Sequence, residues 1–476
     1  MRRIGELVPR PAVAWFAVAL VVRAFVCWRT PVPSHDVHYL WMGERLAADG
    51  DLGAAFTTPH HPLYGILVGA MLRLWPALGG VGAGQLVAAV TGSLAVIPLF
   101  AVARRWHGDR VAHTAAALFA CGLWLARHPA ACAAEGPLYL FLATGLWALA
   151  VGRPALAGIA TGLAYATKPE GAGLAIVALP WLWCAGGRVR DGWLMRGSAP
   201  LQFALGALAA AWWVPLGFAV FGPGWTLTPK LAFVLAEGVA GADPGTGGVA
   251  HYLEHLVRTF GVCFEGIGYL VFPLALAGAA WRPGLSGLRD PRSVPWLAFA
   301  LLILVVPILR THHRFVSGYG ALLLPAAGAG MVAALGAIGR TDRRARILAL
   351  LLVLAPDLVR LPRSVNAERV YLIDLGAAIR TRLALGGALA TEEARLEYYS
   401  GQKPGPPRRI ERDELLARID DPDADVRVVA VIPRRTGLTA ADLTARGFEP
   451  MSLPGELPAR LAERGLLVFA RPSRTR

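Results

Sequence analysis

The chain has 476 residues, of which 55% are hydrophobic and only 17% are charged. Ordinary soluble domains contain about 45–50% apolar and about 25% charged residues. These proportions exclude a disordered or collagen-like chain and argue against a single soluble globule. Because so much apolar surface must face something other than water, composition alone predicts an integral membrane protein.

The net charge of +15 does not indicate a nucleic-acid-binding protein. The basic residues form small clusters between apolar runs, as they do in loops at a membrane surface. We therefore expect membrane lipids, and no nucleic acid, among the partners. The five cysteines form no CxxC pair, so neither a disulfide framework nor a zinc ribbon is indicated.

Apolar runs long enough to cross a bilayer recur over the first three quarters of the chain. A spanning helix needs about 20 mainly apolar residues. The basic segment 1–10 is followed by no clear small-residue cleavage site, so the first run is predicted to be an uncleaved span. Eleven candidate spans are found, the last of them weak: 11–28, 81–103, 111–127, 136–152, 154–167, 171–186, 199–222, 263–280, 294–310, 315–338 and 346–359.

The apolar stretch 62–78 decides the topology. If it crossed the membrane, the basic N-terminus would lie inside and several later basic clusters outside, against the positive-inside tendency. Pro62, Arg73 and Trp75 instead suit a helix that lies in the outer interface. With that assignment six basic clusters fall on the cytoplasmic side, and 29–80 becomes one long external segment with juxtamembrane helices.

Composition changes sharply after residue 359. We therefore predict a membrane domain over 1–359 and a small extracytoplasmic α/β domain over 360–476, provided that 346–359 crosses the membrane. Within this second domain, apolar runs have strand length, amphipathic stretches are typical of helices and a Pro/Gly-rich stretch indicates a loop. The strand-length runs are 427–432 and 466–470, the amphipathic stretches are 368–382 and 411–419, and the Pro/Gly-rich stretch is 401–407.

Acids, bases and histidines gather in the predicted external segments, several of them beside the ends of spans. They are His35, Asp36, His38, Glu44, His60, His61, Glu135, Lys168, Glu170, His312, His313 and Arg314. An ionisable group at membrane depth costs about 2.5–3.5 kcal/mol, so such groups are usually paired or functional. For any single residue a solvated charge or an interfacial anchor is the simpler interpretation. Their convergence from separate segments onto one face is what indicates a site.

Each residue of this set also has a structural interpretation. Asp36 follows the first span and precedes a helical pattern, where it suits either an N-cap or a base that takes a proton from a hydroxyl. The four histidines could hold a metal, but their spacing matches no recognised ligand set. Helix capping accounts in part for Glu135 and Glu170. It does not account for Lys168, one of three lysines in the chain.

Taken together and in this order, these elements resemble the GT-C superfamily of polyprenyl-phosphate-sugar-dependent glycosyltransferases. The resemblance is to the branch that holds aminoarabinose transferase and the protein O-mannosyltransferases, and it covers roughly residues 10–330. The most specific stretch is Gly162-Leu-Ala-Tyr-Ala-Thr-Lys168-Pro169-Glu170-Gly171. The other matching elements are Asp36 with its trailing helix, His61-Pro62-Leu63-Tyr64, Glu135-Gly-Pro-Leu138, and Arg310 to Arg314 before Leu323-Leu324-Pro325.

The resemblance implies a polytopic α-helical membrane protein of about eleven spans with a small C-terminal α/β domain. It implies transfer of a hexose or pentose from a polyprenyl-phosphate donor to a lipid, glycan or protein acceptor on the extracytoplasmic face, with inversion. Asp36 matches the catalytic base and Glu135 the second catalytic acid of the family. Lys168 matches a cation that contacts the lipid phosphate in the family, and Arg314 matches such a cation more loosely. Arg23, in the first span, either snorkels outward or approaches that phosphate.

Two departures from the family pattern leave the acceptor and metal dependence open. His35 precedes Asp36 where many relatives carry a second acid, and His60-His61 stands where some carry an acid. These histidines, with His38 and Glu170, are candidate acceptor or metal contacts. No cofactor is required by the sequence, which contains neither a P-loop nor a dinucleotide fingerprint, although a divalent metal is compatible with it.

Two other functions remain compatible with the sequence. A transporter or flippase of a polar lipid predicts broken helices and acids at mid-membrane. A non-catalytic family member would act as a binding or scaffold protein. The expected location for all three functions is a bacterial inner membrane.

Overall fold

The computed structural model describes residues 9–33, 37–58, 60–185, 198–222, 224, 226–227, 249–280, 290–309, 313–340, 342–364, 366–384, 386–404 and 412–472. Two predicted site residues, His35 and Asp36, lie outside these ranges. The described chain divides into two compact units. The first contains Met1–Thr30 and Met42–Ser364, and the second contains Pro31–Trp41 and Val365–Arg476. The division differs from the predicted one because the short segment after the first helix groups with the C-terminal part.

The regular elements in the described part of the first unit are all helices. One of them, Val37–Asp49, begins in the second unit and ends in the first. In chain order the helices are α1 (Arg10–Trp28), α2 (Val37–Asp49), α3 (Leu63–Leu74), α4 (Gly79–Leu94), α5 (Val96–His107), α6 (Asp109–Cys121), α7 (Leu123–Ala130), α8 (Glu135–Ala150), α9 (Pro154–Thr167), α10 (Gly173–Ala185), α11 (Ala199–Ala211), α12 (Trp213–Phe221), α13 (Val249–Ile267), α14 (Val271–Ala280), α15 (Val294–Leu309), α16 (His313–Leu322), α17 (Leu324–Ala337) and α18 (Arg343–Arg360).

Among the described residues, three helical stretches are long and apolar enough to cross a membrane: Arg10–Trp28, Pro76–His107 and Ala199–Phe221. Two bent pairs, Tyr252–Ile267 with Val271–Ala280 and Arg314–Leu322 with Leu324–Ala337, raise the number to five if each pair is one span. Other apolar helices, such as α8 with 16 residues, are shorter than the roughly 20 residues of a straight span. The predicted count of eleven is therefore not confirmed.

The stretch 62–78 forms a helix that is too short to span. Pro62 precedes α3, which has 12 residues and carries Arg73 in its last turn. At about 1.5 Å per residue such a helix is only about 18 Å long. Trp75 then adopts φ −145°, as expected for a residue before proline, and the chain turns into α4. This geometry suits the interfacial helix that the sequence predicted.

The helices of the first unit pack around one large apolar core. Phe100, Phe119, Leu142 and Phe272 lie within it, and each is almost fully buried. Many of its other members are alanines, which allow helix axes to approach closely in a membrane. Many large apolar side chains, for example Val21 and Leu352, are exposed, as expected for a surface that faces lipid.

The second unit is a mixed α/β fold. Its helices are α19 (Tyr371–Leu383), α20 (Ala394–Tyr399), α21 (Arg412–Asp420), α22 (Pro433–Thr436), α23 (Ala440–Thr444) and α24 (Leu457–Arg464). Its strands are β1 (Ala388–Thr391), β2 (Val426–Val431), β3 (Glu449–Pro450) and β4 (Leu467–Ala470). The strand order is β1-β2-β4-β3, with β1 parallel to β2 and the other neighbours antiparallel.

Both faces of this sheet are covered. Along β2, Val428 and Ala430 pack into one apolar cluster with α19, and Val429 and Val431 pack into another with α21. A strand buried on both faces is expected to be continuously apolar, which is why this run was visible in the sequence. The predicted strands at 427–432 and 466–470 and helices at 368–382 and 411–419 are confirmed as elements. The predicted loop extends from the described residues 401–404 into residues outside them.

Candidate functional site

Lys168 lies at a sharp corner between α9 and α10. The residue before a proline is excluded from the helical region, so Pro169 ends α9 at Thr167 and Lys168 becomes extended, with φ −154° and ψ 142°. Pro169–Ala172 then form a single 3₁₀ turn. A Cβ on Gly171 would lie only 2.2 Å from the carbonyl carbon of Ala164, so this close packing requires glycine. The Lys-Pro-Glu-Gly sequence thus builds the corner that presents Lys168.

Glu135 is the first residue of α8, and Pro137 occupies the first turn of that helix. At Gly136 the helix start packs directly on α4, because a Cβ there would lie 2.3 Å from the carbonyl oxygen of Ala88. The side chain of Glu135 is fully buried as a result. The Glu-Gly-Pro motif therefore places a carboxylate inside the helical unit, where it needs compensating charge.

Two cations compensate Glu135. Lys168 Nζ lies 2.9 Å from Glu135 Oε1, and Arg314 Nε lies 2.9 Å from the same oxygen. Arg314 Nη2 also donates to Glu135 Oε2 at 3.1 Å, so the guanidinium binds the carboxylate with two nitrogens. The Lys168 side chain is 4% exposed and that of Arg314 is 24% exposed. Arg314 is therefore the cation of this pair that solvent reaches.

Glu170 completes the cluster. Its Oε1 lies 3.6 Å from Lys168 Nζ, and Tyr319 donates its hydroxyl to the Glu170 backbone oxygen at 2.7 Å. Burial alone would lower the pKa of Lys168, but the carboxylates of Glu135 and Glu170 outweigh burial and raise that pKa above its ordinary value. The cluster of two acids and two bases thus favours the charged form of Lys168.

The loop before α3 reaches the same corner through His61. His61 Nδ1 is hydrogen-bonded to the backbone oxygen of Tyr165, three residues before Lys168. The two rings meet edge to face, with centroids 4.7 Å apart. His61 is fully buried and His60 nearly so. His61, just before α3, and the end of α9 that leads into the Lys-Pro-Glu corner are therefore in direct contact within the first unit.

A buried polar network lies behind the ion cluster. His128 Nδ1 lies 3.2 Å from the Tyr139 hydroxyl and 3.3 Å from Ser317 Oγ, and the two hydroxyl oxygens are 2.9 Å apart. Ser317 Oγ also donates to the backbone oxygen of Arg314 at 3.0 Å. This network was not predicted from the sequence, although the spacing of its residues is a signal. Tyr139 follows Glu135 by four residues and Ser317 follows Arg314 by three, which places each pair on one helix face.

Arg23 lies apart from the ion pairs. It is fully buried, and its guanidinium donates to the backbone oxygens of Ala19 and Leu125 and lies 4.9 Å from the centre of the Phe119 ring. An added Cβ on Gly92 would lie 3.2 Å from Arg23 Nε and 3.4 Å from Gly136 Cα, so Arg23 is close behind the start of α8. These contacts favour a structural function, and contact with a phosphate stays a prediction.

The structure thus assembles four predicted residues, Glu135, Lys168, Glu170 and Arg314, with His61 adjacent. His38 is fully buried and belongs to the second unit. Within the described ranges, no group of three or more histidine, cysteine, aspartate or glutamate side chains is arranged to hold a metal ion. Glu135 has both oxygens bound to cations, an arrangement that suits an electrostatic anchor better than a proton acceptor.

Neither the known family profiles nor the curated protein sequences contain a match to the chain. Solved structures do match it. ArnT from Cupriavidus metallidurans bound to undecaprenyl phosphate superposes with a TM-score of 0.64 and 16% identity, over 97% of this chain and 98% of that one. The Archaeoglobus fulgidus oligosaccharyltransferase in complex with Zn and sulfate superposes with a TM-score of 0.62 and 14% identity, over 97% of this chain and 74% of that one.

A second structure of the archaeal enzyme, AglB in complex with an inhibitory peptide and a dolichol-phosphate, gives a TM-score of 0.54 at 14% identity over 98% of this chain. At these identities the likeness concerns the fold. It extends over nearly the whole chain, including the C-terminal unit. The chain therefore shares its fold with ArnT and with the archaeal oligosaccharyltransferase.

Proposed function

We propose that this chain is an integral membrane glycosyltransferase that uses a polyprenyl-phosphate-linked sugar as donor and works on the extracytoplasmic face. The observation that carries the proposal is the buried Glu135 with its two cations, Lys168 and Arg314, at the predicted site. The fold supports it, because a structure of this fold was solved with undecaprenyl phosphate bound. A guanidinium that is 24% exposed suits a phosphate, since Arg binds phosphate oxygens with two nitrogens.

The proposed reaction is a single displacement at the anomeric carbon. Asp36 takes the proton of an acceptor hydroxyl or amine, and the acceptor atom forms the new bond to the sugar. The bond between the anomeric carbon and the phosphate oxygen breaks with its electron pair, so the lipid phosphate leaves with an added negative charge. Arg314 and Lys168 stabilise that charge, and the anomeric configuration inverts. A positioned base typically contributes 10²–10⁴-fold.

The cations are held before the donor arrives. Glu135 fixes the guanidinium plane of Arg314 through two nitrogens, and the rigid corner at Pro169 fixes Lys168. Groups that are already oriented need no reorganisation when charge develops in the transition state. We therefore assign Glu135 the function of an anchor for the phosphate-binding cations.

The decisive experiment is incubation of the purified protein with a panel of polyprenyl-phosphate sugars and cell-envelope acceptors, followed by mass spectrometry of the products. Asp36→Asn is expected to abolish transfer while melting temperature stays near that of the wild type. Asp49→Asn, which changes an exposed acid of α2 paired with Arg45, is the matched control and is expected to remain active. Full turnover by Asp36→Asn would exclude Asp36 as the base.

One observation favours a second candidate, a transporter of a polar lipid. The pairs Tyr252–Ile267 with Val271–Ala280 and Arg314–Leu322 with Leu324–Ala337 bend by 102° and 62°, and broken helices often frame substrate sites in transporters. Reconstitution in liposomes with a labelled polyprenyl-phosphate sugar and no acceptor discriminates the two functions. Movement of label between leaflets without product formation in the panel would favour transport.

A further inference from the structure

Helices α8 and α16 contact each other twice, about one helical turn apart. Glu135, the first residue of α8, binds the guanidinium of Arg314 near the start of α16. One turn further along both helices, the hydroxyl oxygens of Tyr139 and Ser317 are 2.9 Å apart. At about 1.5 Å per residue, the two contacts are about 4–6 Å apart along the helices. Together they fix the register of the two helices, whereas a single contact would still permit α16 to rotate about it.

The hydrogen bonds at the second contact have a defined direction. Ser317 Oγ lies 3.0 Å from the backbone oxygen of Arg314, and this bond uses the one proton of the hydroxyl because a carbonyl only accepts. The Tyr139 hydroxyl must then donate to Ser317 Oγ. Neither hydroxyl has a second proton, so His128 Nδ1, at 3.2 Å and 3.3 Å from the two oxygens, must be the protonated ring nitrogen. The donors therefore run in one chain from His128 through Tyr139 and Ser317 to the backbone of Arg314.

This hydrogen-bond chain is almost completely buried. Ser317 has no exposure to water, Tyr139 is 1% exposed and His128 is 5% exposed. A buried polar group that loses its partner cannot turn to water instead, so displacement of any member of the chain is unfavourable. The side chain of Arg314, in contrast, is 24% exposed. A phosphate that draws the guanidinium away from Glu135 weakens the first contact between the helices, and the buried second contact then holds α16 in register.

The same helix also contacts the Lys-Pro-Glu corner. The Lys168 ammonium lies 5.8 Å from the centre of the Phe315 ring, within the range of a cation–π interaction. Tyr319 donates its hydroxyl to the backbone oxygen of Glu170 at 2.7 Å. A shift of α16 would therefore change the position of Arg314 relative to the Lys168 ammonium.

We propose that the hydrogen-bond chain positions Arg314 for the lipid phosphate, and that Tyr139 is the central positioning residue. The inference rests on the proposed function, since it concerns how a phosphate-binding cation is held. Tyr139 acts through Ser317 and the backbone of α16. Loss of its hydroxyl opens the chain and leaves the guanidinium with a wider range of positions. A small shift is enough, because misplacement by about 1 Å can cost about 10²-fold in rate.

The test removes single hydroxyl groups in the full chain. Tyr139→Phe and Ser317→Ala each delete one hydroxyl of the hydrogen-bond chain. We expect the KM for the lipid donor to rise at least fivefold in both variants, with the KM for the acceptor within twofold of wild type. Tyr252→Phe is the matched control for the first, because Tyr252 donates to the backbone oxygen of Leu304 at 3.1 Å, outside this cluster. Ser93→Ala, which removes a buried hydroxyl bonded within its own helix, is the control for the second.

A double-mutant cycle separates positioning from general damage. If Tyr139 acts through Arg314, adding Tyr139→Phe to Arg314→Gln raises the donor KM no further, because the two effects are not independent. Additive effects in the cycle would overturn the inference. Equal changes in the donor and acceptor constants, or a wild-type donor KM in both Tyr139→Phe and Ser317→Ala, would overturn it as well.

Hydrogen exchange provides a readout that does not need a substrate. Backbone amides of α16 are expected to exchange faster in Tyr139→Phe than in the wild type or in Tyr252→Phe. Unchanged exchange would contradict the inference even if no donor in the panel proved active. Faster exchange in a protein that transfers no sugar would uphold the positioning of α16 by Tyr139 and refute the proposed function, so the two failures are distinguishable.

Discussion

At the scale of single residues, the dominant feature is a carboxylate with no exposure to water. Glu135 is fully buried and both of its oxygens are bound by cations. A buried ion pair gives little net stability over an apolar alternative, yet removing one partner is costly because the other charge stays buried. The pair is therefore better understood as a device that orients Lys168 and Arg314 than as a source of stability.

Glu135→Gln tests this balance. The substitution keeps the size of the side chain but replaces one accepting oxygen by an NH2 group and removes the anion that Arg314 and Lys168 share, so that Lys168 retains only Glu170 at 3.6 Å. We therefore expect a loss of about 3–5 kcal/mol in unfolding free energy. Thermal unfolding in detergent measures it. Glu456→Gln, which breaks an exposed pair with Arg460, is expected to cost about 0–1 kcal/mol. Adding Lys168→Met to Glu135→Gln should recover part of the loss, and a stable Glu135→Gln protein would contradict the argument.

Lys168→Ala tests the phosphate assignment. Charged hydrogen bonds contribute about 1.5–3 kcal/mol, so we expect the KM for the lipid donor to rise about tenfold or more while the KM for the acceptor changes little. Initial rates with each substrate varied in turn measure the two constants. Arg105→Gln, at an exposed basic residue, serves as control. Equal changes in both constants would remove Lys168 as a donor contact.

At the scale of elements, helix ends define the site, and two of them depend on glycine. The corner after α9 brings Gly171 against Ala164, and the start of α8 brings Gly136 against Ala88. Each contact is with backbone atoms, which cannot move aside as a flexible side chain could. The positions of Lys168 and Glu135 are thus set by main-chain packing.

Gly171→Ala is expected to displace the corner, because its Cβ would lie 2.2 Å from the Ala164 carbonyl carbon. Overpacking of this kind typically costs about 1–3 kcal/mol. We expect a lower melting temperature together with weaker donor binding, measured by thermal unfolding and by donor titration. Gly336→Ala, at a helical glycine with no atom within 4 Å of the added Cβ, should leave both unchanged. A Gly171→Ala protein with wild-type donor affinity would contradict the expectation.

Several helix ends were predictable from the sequence and others were not. Pro169 ends α9 and Pro137 opens α8 through local sterics, so those boundaries followed from the residues. The run 111–127, in contrast, was predicted as one span, whereas the helix breaks at Gly122 and resumes at Leu123. Part of the reason is a contact with a residue that is distant in sequence. Asp357, 234 residues further along the chain, accepts the Leu123 N–H at 3.1 Å. A single sequence gives no sign of such a partner.

The same limit applied to the site. Charge and spacing placed Glu135, Lys168 and Arg314 on one face, because the helices that carry them begin or end there. They did not indicate that one carboxylate binds both cations. That arrangement depends on contacts 33 and 179 residues apart. It also buries the side chains of Glu135 and Lys168, which no local pattern reveals.

At the scale of the whole molecule, the chain combines a helical unit with an α/β unit, and the second contains a partly buried acid, Glu392. Glu392 Oε1 accepts the Ile432 N–H at 2.9 Å, just beyond the ends of β1 and β2. Burial raises the pKa of Glu392. The hydrogen bond from Ile432 and the charge of Arg435 lower it, but by less, so the pKa lies above its ordinary value. The folded unit therefore favours the protonated carboxyl.

This shift has a defined sign. A carboxyl whose pKa is higher in the folded than in the unfolded state binds more protons when folded. The contribution to stability is complete below the ordinary pKa of about 4.5 and is lost as pH rises through the raised pKa. We expect hydrogen exchange of β2, corrected for intrinsic rates, to show decreasing protection as pH rises through this window. Glu392→Gln should weaken that dependence, whereas the exposed-site variant Glu449→Gln should retain it.

The grouping of the segment after α1 with the C-terminal part orders events during biogenesis, because Asn366 donates to the backbone oxygen of Val32. The two residues are 334 positions apart, so the segment after α1 leaves the ribosome long before its partner has been translated. At about 5–20 residues per second, that interval is roughly 20–70 s. Throughout it the nascent membrane helices can insert and pack, while the stretch around Pro33 has nothing to dock on. A chain that ends before Asn366 lacks the side chain that donates to the backbone oxygens of Val32 and Pro33, so these two hydrogen bonds form only after most of the chain has been synthesised.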